Sequence, residues 1–152
     1  MHLTSSAFPA EGKIPSLYTC EGKNINPPLE FHDVPAAAKA LVLLMDDPDV
    51  PRDRRPDGMW DHWVVFNIPP ATRSIAEHTP PPGIQGANTD GKNSYYGPCP
   101  PDREHRYFFK LYALDTLLHL APGATKKQVE HAMQGHILAQ AELMGRYEKR
   151  GK

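Results

Sequence analysis

The sequence predicts a mainly β domain whose C-terminal third is helical, on three observations. Apolar runs at 39–46, 63–68 and 106–115 have the length and composition of strands. Seventeen prolines, well above the average of about 5% of residues, lie between those runs. Proline is barred from central strands and helix interiors, so the chain needs many shaped loops. Beyond Thr125 the apolar residues change to helical spacing.

Residues 1–35 read as short strands interrupted by Glu11-Gly12-Lys13, Glu21-Gly22-Lys23 and Asn26-Pro27-Pro28. Leu29-Glu30-Phe31 is a short alternating strand. Within the run 39–46, Ala40 to Met45 are apolar without a break, as expected of a strand covered on both faces. The run 106–115 is long and aromatic. Between 79 and 101 stand Pro80-Pro81-Pro82-Gly83, Asp90-Gly91, Gly97-Pro98 and Pro100-Pro101, with almost no periodic signal. A loop this long in a compact domain is usually functional or disordered. This one leads to His105, so it is expected to wall a site. In the last third, Thr125 suits an N-cap. Val129, Ala132, Met133, Ile137, Ala141 and Met144 form one helical stripe for packing on the sheet, with Gly135 dividing it into two helices. His131 and His136 are expected to face solvent or to cap. No internal repeat or linker appears, so one domain spanning 1–152 is expected.

The formal net charge of -1 offers no basic face for nucleic acid and no electrostatic anchor for a membrane surface. No run approaches the ~18 apolar residues of a membrane-spanning helix. The start, Met1-His2-Leu3-Thr4-Ser5-Ser6, lacks the features of a signal peptide. Cys20 and Cys99 form no zinc signature. The expectation is a cytoplasmic protein with both thiols free.

The strand-like runs carry acids and imidazoles at their ends. Asp46-Asp47-Pro48-Asp49-Val50-Pro51 follows the first, Trp60-Asp61-His62-Trp63 opens the second, and His105-Arg106-Tyr107 opens the third. If those ends share a sheet edge, Asp47, His62, His105 and Tyr107 form a ligand or catalytic site. Each imidazole can donate an N–H, and an imidazolium makes short charge-assisted bonds to an oxyanion. Tyr107 shares a strand face with His105 and adds a donor. Asp47 can accept from a histidine, a protonated phosphate or an ammonium group. A phosphomonoester has its second pKa near ~6, in the imidazole range, so the group suits a compact phosphate. The Arg and Lys clamp of a phosphoryl-transfer site is not evident, so modest binding is expected.

Other readings stay open. Asp46 or Asp49 can be a simple turn former, and each histidine a hydrogen-bonded core residue. Two His and a carboxylate can hold a metal, but no His-x-His or HExxH pair anchors one here. No G-x-S-x-G elbow marks a nucleophile. Cys99 is either a reactive thiol near His105 or a small half-buried residue. A hydrolase using His and Asp for acid–base work is a further alternative.

These residues resemble the phosphatidylethanolamine-binding protein family, also called the Raf-kinase-inhibitor-protein family, in its bacterial branch. The motifs are Asp47-Pro48-Asp49-Val50-Pro51, Trp60-Asp61-His62 and His105-Arg106-Tyr107. Supporting stretches include Tyr96-Gly97-Pro98-Cys99-Pro100-Pro101 and Phe108–Asp115, and the likeness runs from about residue 15 to 147. The resemblance implies a large central β-sheet with a smaller β-sheet on one side and C-terminal helices on the other. It implies a ligand-binding pocket for phosphate or a phosphoethanolamine-type head group, lined by Asp47, His62, His105 and Tyr107 with Pro100 and Pro101 at the rim. No cofactor and no metal are expected. A non-enzymatic binding role is expected, with inhibition of a kinase or protease as the alternative, and a second copy of the chain is a further candidate partner. One departure is Arg103, which stands where the family has glycine before the second histidine. Arg103 is expected either to lie in solvent or to point at the pocket mouth, unless the loop takes another course.

Overall fold

A strand apolar from Ala40 to Met45 needs a neighbour on each edge and a layer over each face, and β3 (Ala40–Asp47) has all four. A computed structural model of the protein describes residues 1–151. β3 is buried along its whole length. It pairs antiparallel with β4 (Trp60–Ile68) on one edge and with β7 (His105–Leu114) on the other. β6 (Ile84–Gln85) and β8 (Ile137–Tyr147) complete a five-stranded sheet in the order β6-β4-β3-β7-β8. A second sheet joins β1 (His2–Thr4), β2 (Leu29–His32) and β5 (Ser74–Ile75) in the order β1-β2-β5. The strands expected at 29–31, 39–46, 63–68 and 106–115 are all present, with the second pair starting a little earlier.

Strand alternation divides the core in two. Leu41, Leu43 and Met45 of β3 pack with Trp63, Val65, Phe109 and Leu111 against Leu3, Leu29, Phe31 and Ile75 of the small sheet. Val42 and Leu44 point the other way and pack with Val64 and Phe66 against Val129 and Met133 of α1 (Lys126–Met133). The layers are therefore small sheet, large sheet, helix, as the mainly β reading requires.

The helical stripe is half wrong. α1 starts at a capping box in which Thr125 Oγ1 accepts from the Gln128 backbone and the Gln128 side chain accepts from the Thr125 N–H. It ends before Gly135, whose φ of 81° suits glycine at a helix stop. Residues 137–147 then form a strand and not a second helix. Ile137, Ala141 and Met144 belong to β8, which pairs with β7 along its whole length. The helix-forming composition of Ala, Leu, Glu, Gln and Met is overridden by that pairing. The period-2 burial of Leu143, Gly145 and Tyr147 is the pattern that marks the strand.

The helix is tied to the sheet by a buried ion cluster. The Lys126 ammonium lies 3.0 Å from Asp46 Oδ2 and 3.0 Å from Asp61 Oδ1. Lys110 reaches the same Asp46 oxygen at 3.0 Å. Asp46 is thus a structural anion on the helix side and not a turn former.

The expectation of free thiols is overturned, because Cys20 and Cys99 form a disulfide. The bond ties the proline-rich loop to the 3-10 turn at Ser16–Tyr18 and the segment after it. Hydrogen bonds run alongside, from Cys20 N–H to Pro98 O at 3.1 Å, Tyr95 Oη–H to Tyr18 O at 2.7 Å, and Gly97 N–H to Asn24 Oδ1 at 2.7 Å. A Cβ on Gly97 would sit 2.0 Å from Tyr18 O, so only glycine permits this approach. Disulfides persist mainly in oxidising compartments, so free thiols no longer support a cytoplasmic location. No helix of the described residues is long and apolar enough to cross a membrane. Replacing both cysteines by serine should cost about 2–4 kcal/mol, because a long loop of the unfolded chain loses its tether. Urea denaturation with and without reductant measures this, and superimposable curves would refute a stabilising bridge.

Candidate functional site

The ends of β3, β4 and β7 meet at one edge of the large sheet, and the loop leading to β7 closes over them. Asp47, His62, His105, Tyr107, Pro100 and Pro101 all line one cavity of about 320 Å³. All six site residues expected from sequence are brought together.

His62 arrives by a register break. Met45 pairs with Trp63 but Asp46 pairs with Asp61, so His62 is an extra residue bulged out of β4. Asp61 stays with Asp46 on the helix side, and His62 lines the cavity on the opposite side. Bulges commonly re-aim side chains at functional sites. The His62 ring stands edge-on to Tyr107, with centroids 5.3 Å apart and an interplanar angle of 74°.

The two imidazoles have different roles, contrary to the expectation that both donate to a ligand. His62 Nδ1 lies 2.6 Å from the Tyr96 carbonyl oxygen. A carbonyl can only accept, so Nδ1 carries the proton and Nε2 of the neutral ring keeps a lone pair. Burial pushes His62 below its ordinary value near 6.5, although the Tyr96 carbonyl and nearby aspartates pull the other way. His105 is fully buried between two carboxylates. Its Nδ1 lies 2.6 Å from Asp47 Oδ2 and its Nε2 lies 2.7 Å from Asp102 Oδ1. Burial opposes the charge here too, but Asp47 and Asp102 outweigh it and raise His105 above its ordinary 6.5. Both N–H groups of this imidazolium are therefore directed at protein carboxylates.

The motif aspartates divide the remaining work. Asp47 Oδ1 accepts from the Asp49 N–H at 2.8 Å, which shapes the turn. Asp49 takes a forked contact from Arg106, with Nη2 to Oδ1 at 2.8 Å and Nε to Oδ2 at 2.9 Å. The Arg106 backbone N–H also donates to Asp49 Oδ2 at 2.9 Å. That clamp fixes the β3 loop to the start of β7 and holds the Asp49 carboxyl below the usual carboxylate range. Asp49 is a positioning anion and not merely a turn former.

Tyr107 is fully buried, stacked on His105 at 6.4 Å, and burial pushes its phenol above the ordinary value. Its hydroxyl makes no hydrogen bond at normal geometry, although Asp47 and the Cys99 backbone are nearby.

Arg54, Arg55, Trp60, Asp90 and Tyr96 also line the cavity and were missed by sequence reasoning. Arg54 and Arg55 place two cations in the lining that the sequence did not mark. They follow the first motif within a few residues, but nothing in their spacing marks their direction. Arg55 lies over the Trp60 ring, 5.7 Å from its centroid. Asp102 was missed because it follows a proline pair, where an acid reads as an ordinary turn residue. Arg103 does not enter the cavity: its side chain is 61% exposed and its Nε lies 3.7 Å from Asp102 Oδ2. Its φ lies outside the left-handed region, so the replaced glycine leaves no strain at this position.

The sequence profile of the phosphatidylethanolamine-binding proteins matches residues 4–148. A UPF0098 protein of Chlamydia trachomatis is 52% identical over 149 residues, covering 98% of this chain and 99% of its own length. A UPF0098 protein of Methanothermobacter thermautotrophicus is 50% identical over 155 residues, covering 98% of this chain and 99% of its own length. Among solved structures, a putative phosphatidylethanolamine-binding protein homologue from Chlamydia trachomatis superimposes with a TM-score of 0.95 at 52% identity, with 97% of each chain covered. Escherichia coli YbcL, described as a new member of the mammalian family, gives a TM-score of 0.87 at 28% identity, with 98% of each chain covered. With that agreement in sequence over nearly the full chain and in fold, the protein belongs to the phosphatidylethanolamine-binding protein family.

Proposed function

We propose that the cavity binds a small phosphate-type anion, free or as the head group of a larger molecule. The observation that carries this reading is a set of buried donors that make no hydrogen bond within the protein. They are Tyr107 Oη, Trp60 Nε1 and Arg55 Nε, the last 3.9 Å from Asp57 Oδ1, and all three residues line the same cavity. Buried donors are normally paired, and leaving one unmet costs about 1–3 kcal/mol. An acceptor-rich ligand would satisfy them.

Charge adds to the same reading. The His105 imidazolium is met by Asp47 and Asp102, and Arg54 and Arg55 line the cavity as further cations beside Asp90. His62 Nε2 is free to accept the proton of a monohydrogen or dihydrogen phosphate. Cys99 offers no thiol, because its sulfur is in the disulfide. Binding without turnover is the role proposed. A kinase-directed inhibitory role rests on the family likeness alone.

Calorimetry with inorganic phosphate and with phosphoethanolamine tests the site. Tyr107→Phe should weaken binding about tenfold, the equivalent of one lost hydrogen bond to a charged group. Unchanged affinity would count against the donor set. The histidine assignment has its own check. In ring-proton NMR, His62 should titrate below 6.5 and His105 above it. The sign for stability follows. The raised His105 contributes fully below pH 6.5 and is lost as pH rises through its folded-state value. His105→Asn should then cost more stability at pH 6 than at pH 9, and equal cost at both would contradict a charged His105.

A further inference from the structure

We propose that Asp102 is a positioning residue of the cavity, keeping His105 in its doubly donating form and fastening the proline-rich wall to it. The inference rests on the phosphate-type binding reading for its functional consequence, but its geometry stands alone.

His105 touches two carboxylates, Asp47 at 2.6 Å and Asp102 at 2.7 Å. A neutral imidazole has one N–H and can satisfy only one of them. With both carboxylates charged, the observed arrangement needs the imidazolium. The two are not equivalent. The Asp47 side chain is 4% exposed, whereas that of Asp102 is 40% exposed. When His105 loses its second proton, the buried Asp47 keeps the remaining N–H, because an unpaired buried carboxylate is far costlier than a solvated one. Asp102 then loses its bond to His105.

Asp102 directly follows Cys99, Pro100 and Pro101, which form part of the cavity wall. The disulfide fixes one end of that short segment and the contact of Asp102 with His105 fixes the other. Losing that contact loosens the wall near the start of β7. The groups facing His105 are Asp47 from β3, Asp102 from the loop, and Tyr107 stacked from β7. Beyond them, Arg103 pairs with Asp102 and Arg106 with Asp49. Of the two carboxylates bonded to His105, only Asp102 is open to substitution without burying an orphan charge.

The test compares wild type, Asp102→Asn and Asp102→Glu in the full chain. NMR follows the His105 ring titration, and calorimetry follows inorganic phosphate affinity from pH 5 to 9. Asn keeps the shape but not the charge. The His105 midpoint should move down in pH in Asp102→Asn, and the pH at which phosphate affinity breaks should move down with it. Asp102→Glu should restore both at least partly. An unmoved His105 midpoint overturns the proposal, and so does a midpoint that moves while the affinity break stays. If wild type binds no phosphate at any pH, the binding reading fails, and the His105 midpoint still decides whether Asp102 governs that ring.

Discussion

The cavity is organised around one buried cation. His105 has no exposed surface, yet both of its nitrogens meet carboxylates from different parts of the chain. A buried charge is tolerated only when paired and hydrogen-bonded. That requirement couples the end of β3, which carries Asp47, to the loop that carries Asp102. The forked contact of Arg106 with Asp49 runs beside it and joins the same two regions. Two ion pairs thus hold the cavity's floor and one wall. Neither His62 nor Tyr107 carries charge in this arrangement, so the cavity's positive groups are the buried His105 and the lining Arg54 and Arg55.

The adjacent aspartates show how strand geometry separates structure from chemistry. Asp46 and Asp47 are neighbours in sequence but point to opposite faces of β3. Asp46 holds α1 against the sheet through Lys126. Asp47 holds His105. β4 repeats the division with Asp61 and His62, but strict alternation would not have sufficed there. The bulge at His62 restores the needed direction after the strand has already placed Asp61 on the helix side. One inserted residue lets both strands send one group to each face.

Much of this was legible in the sequence. The continuous apolar run at 39–46 announces a doubly covered strand, and the acid and imidazole groups at the strand ends announce a shared edge. What escaped has physical causes. Residues 137–147 carry helix-forming side chains, and only the unpaired edge of β7 makes them a strand. The disulfide requires Cys20 and Cys99 to be close, which the chain settles only by folding the loop back on residues 16–24. Histidine tautomers are set by a backbone carbonyl from Tyr96, a partner that no side-chain pattern encodes. Asp102 and Arg55 depend on loop direction, where pattern is weakest.

The wall itself explains how unpaired donors can persist around an open cavity. A loop of about twenty residues would ordinarily collapse onto such donors, since each unmet one costs about 1–3 kcal/mol. Here collapse is resisted at several points. Prolines restrict φ and lower the entropy of the unfolded segment, so less is lost when the loop is ordered. The disulfide, the close approach at Gly97 and the bond to Asn24 fasten its last residues. The contact of Asp102 with His105 fastens its end. The frustration at Tyr107, Trp60 and Arg55 is thus maintained by stability stored elsewhere, in the ion pairs and the two apolar cores. A ligand that meets those donors need not reorganise the wall to do so, which removes a large part of the usual ordering cost of binding.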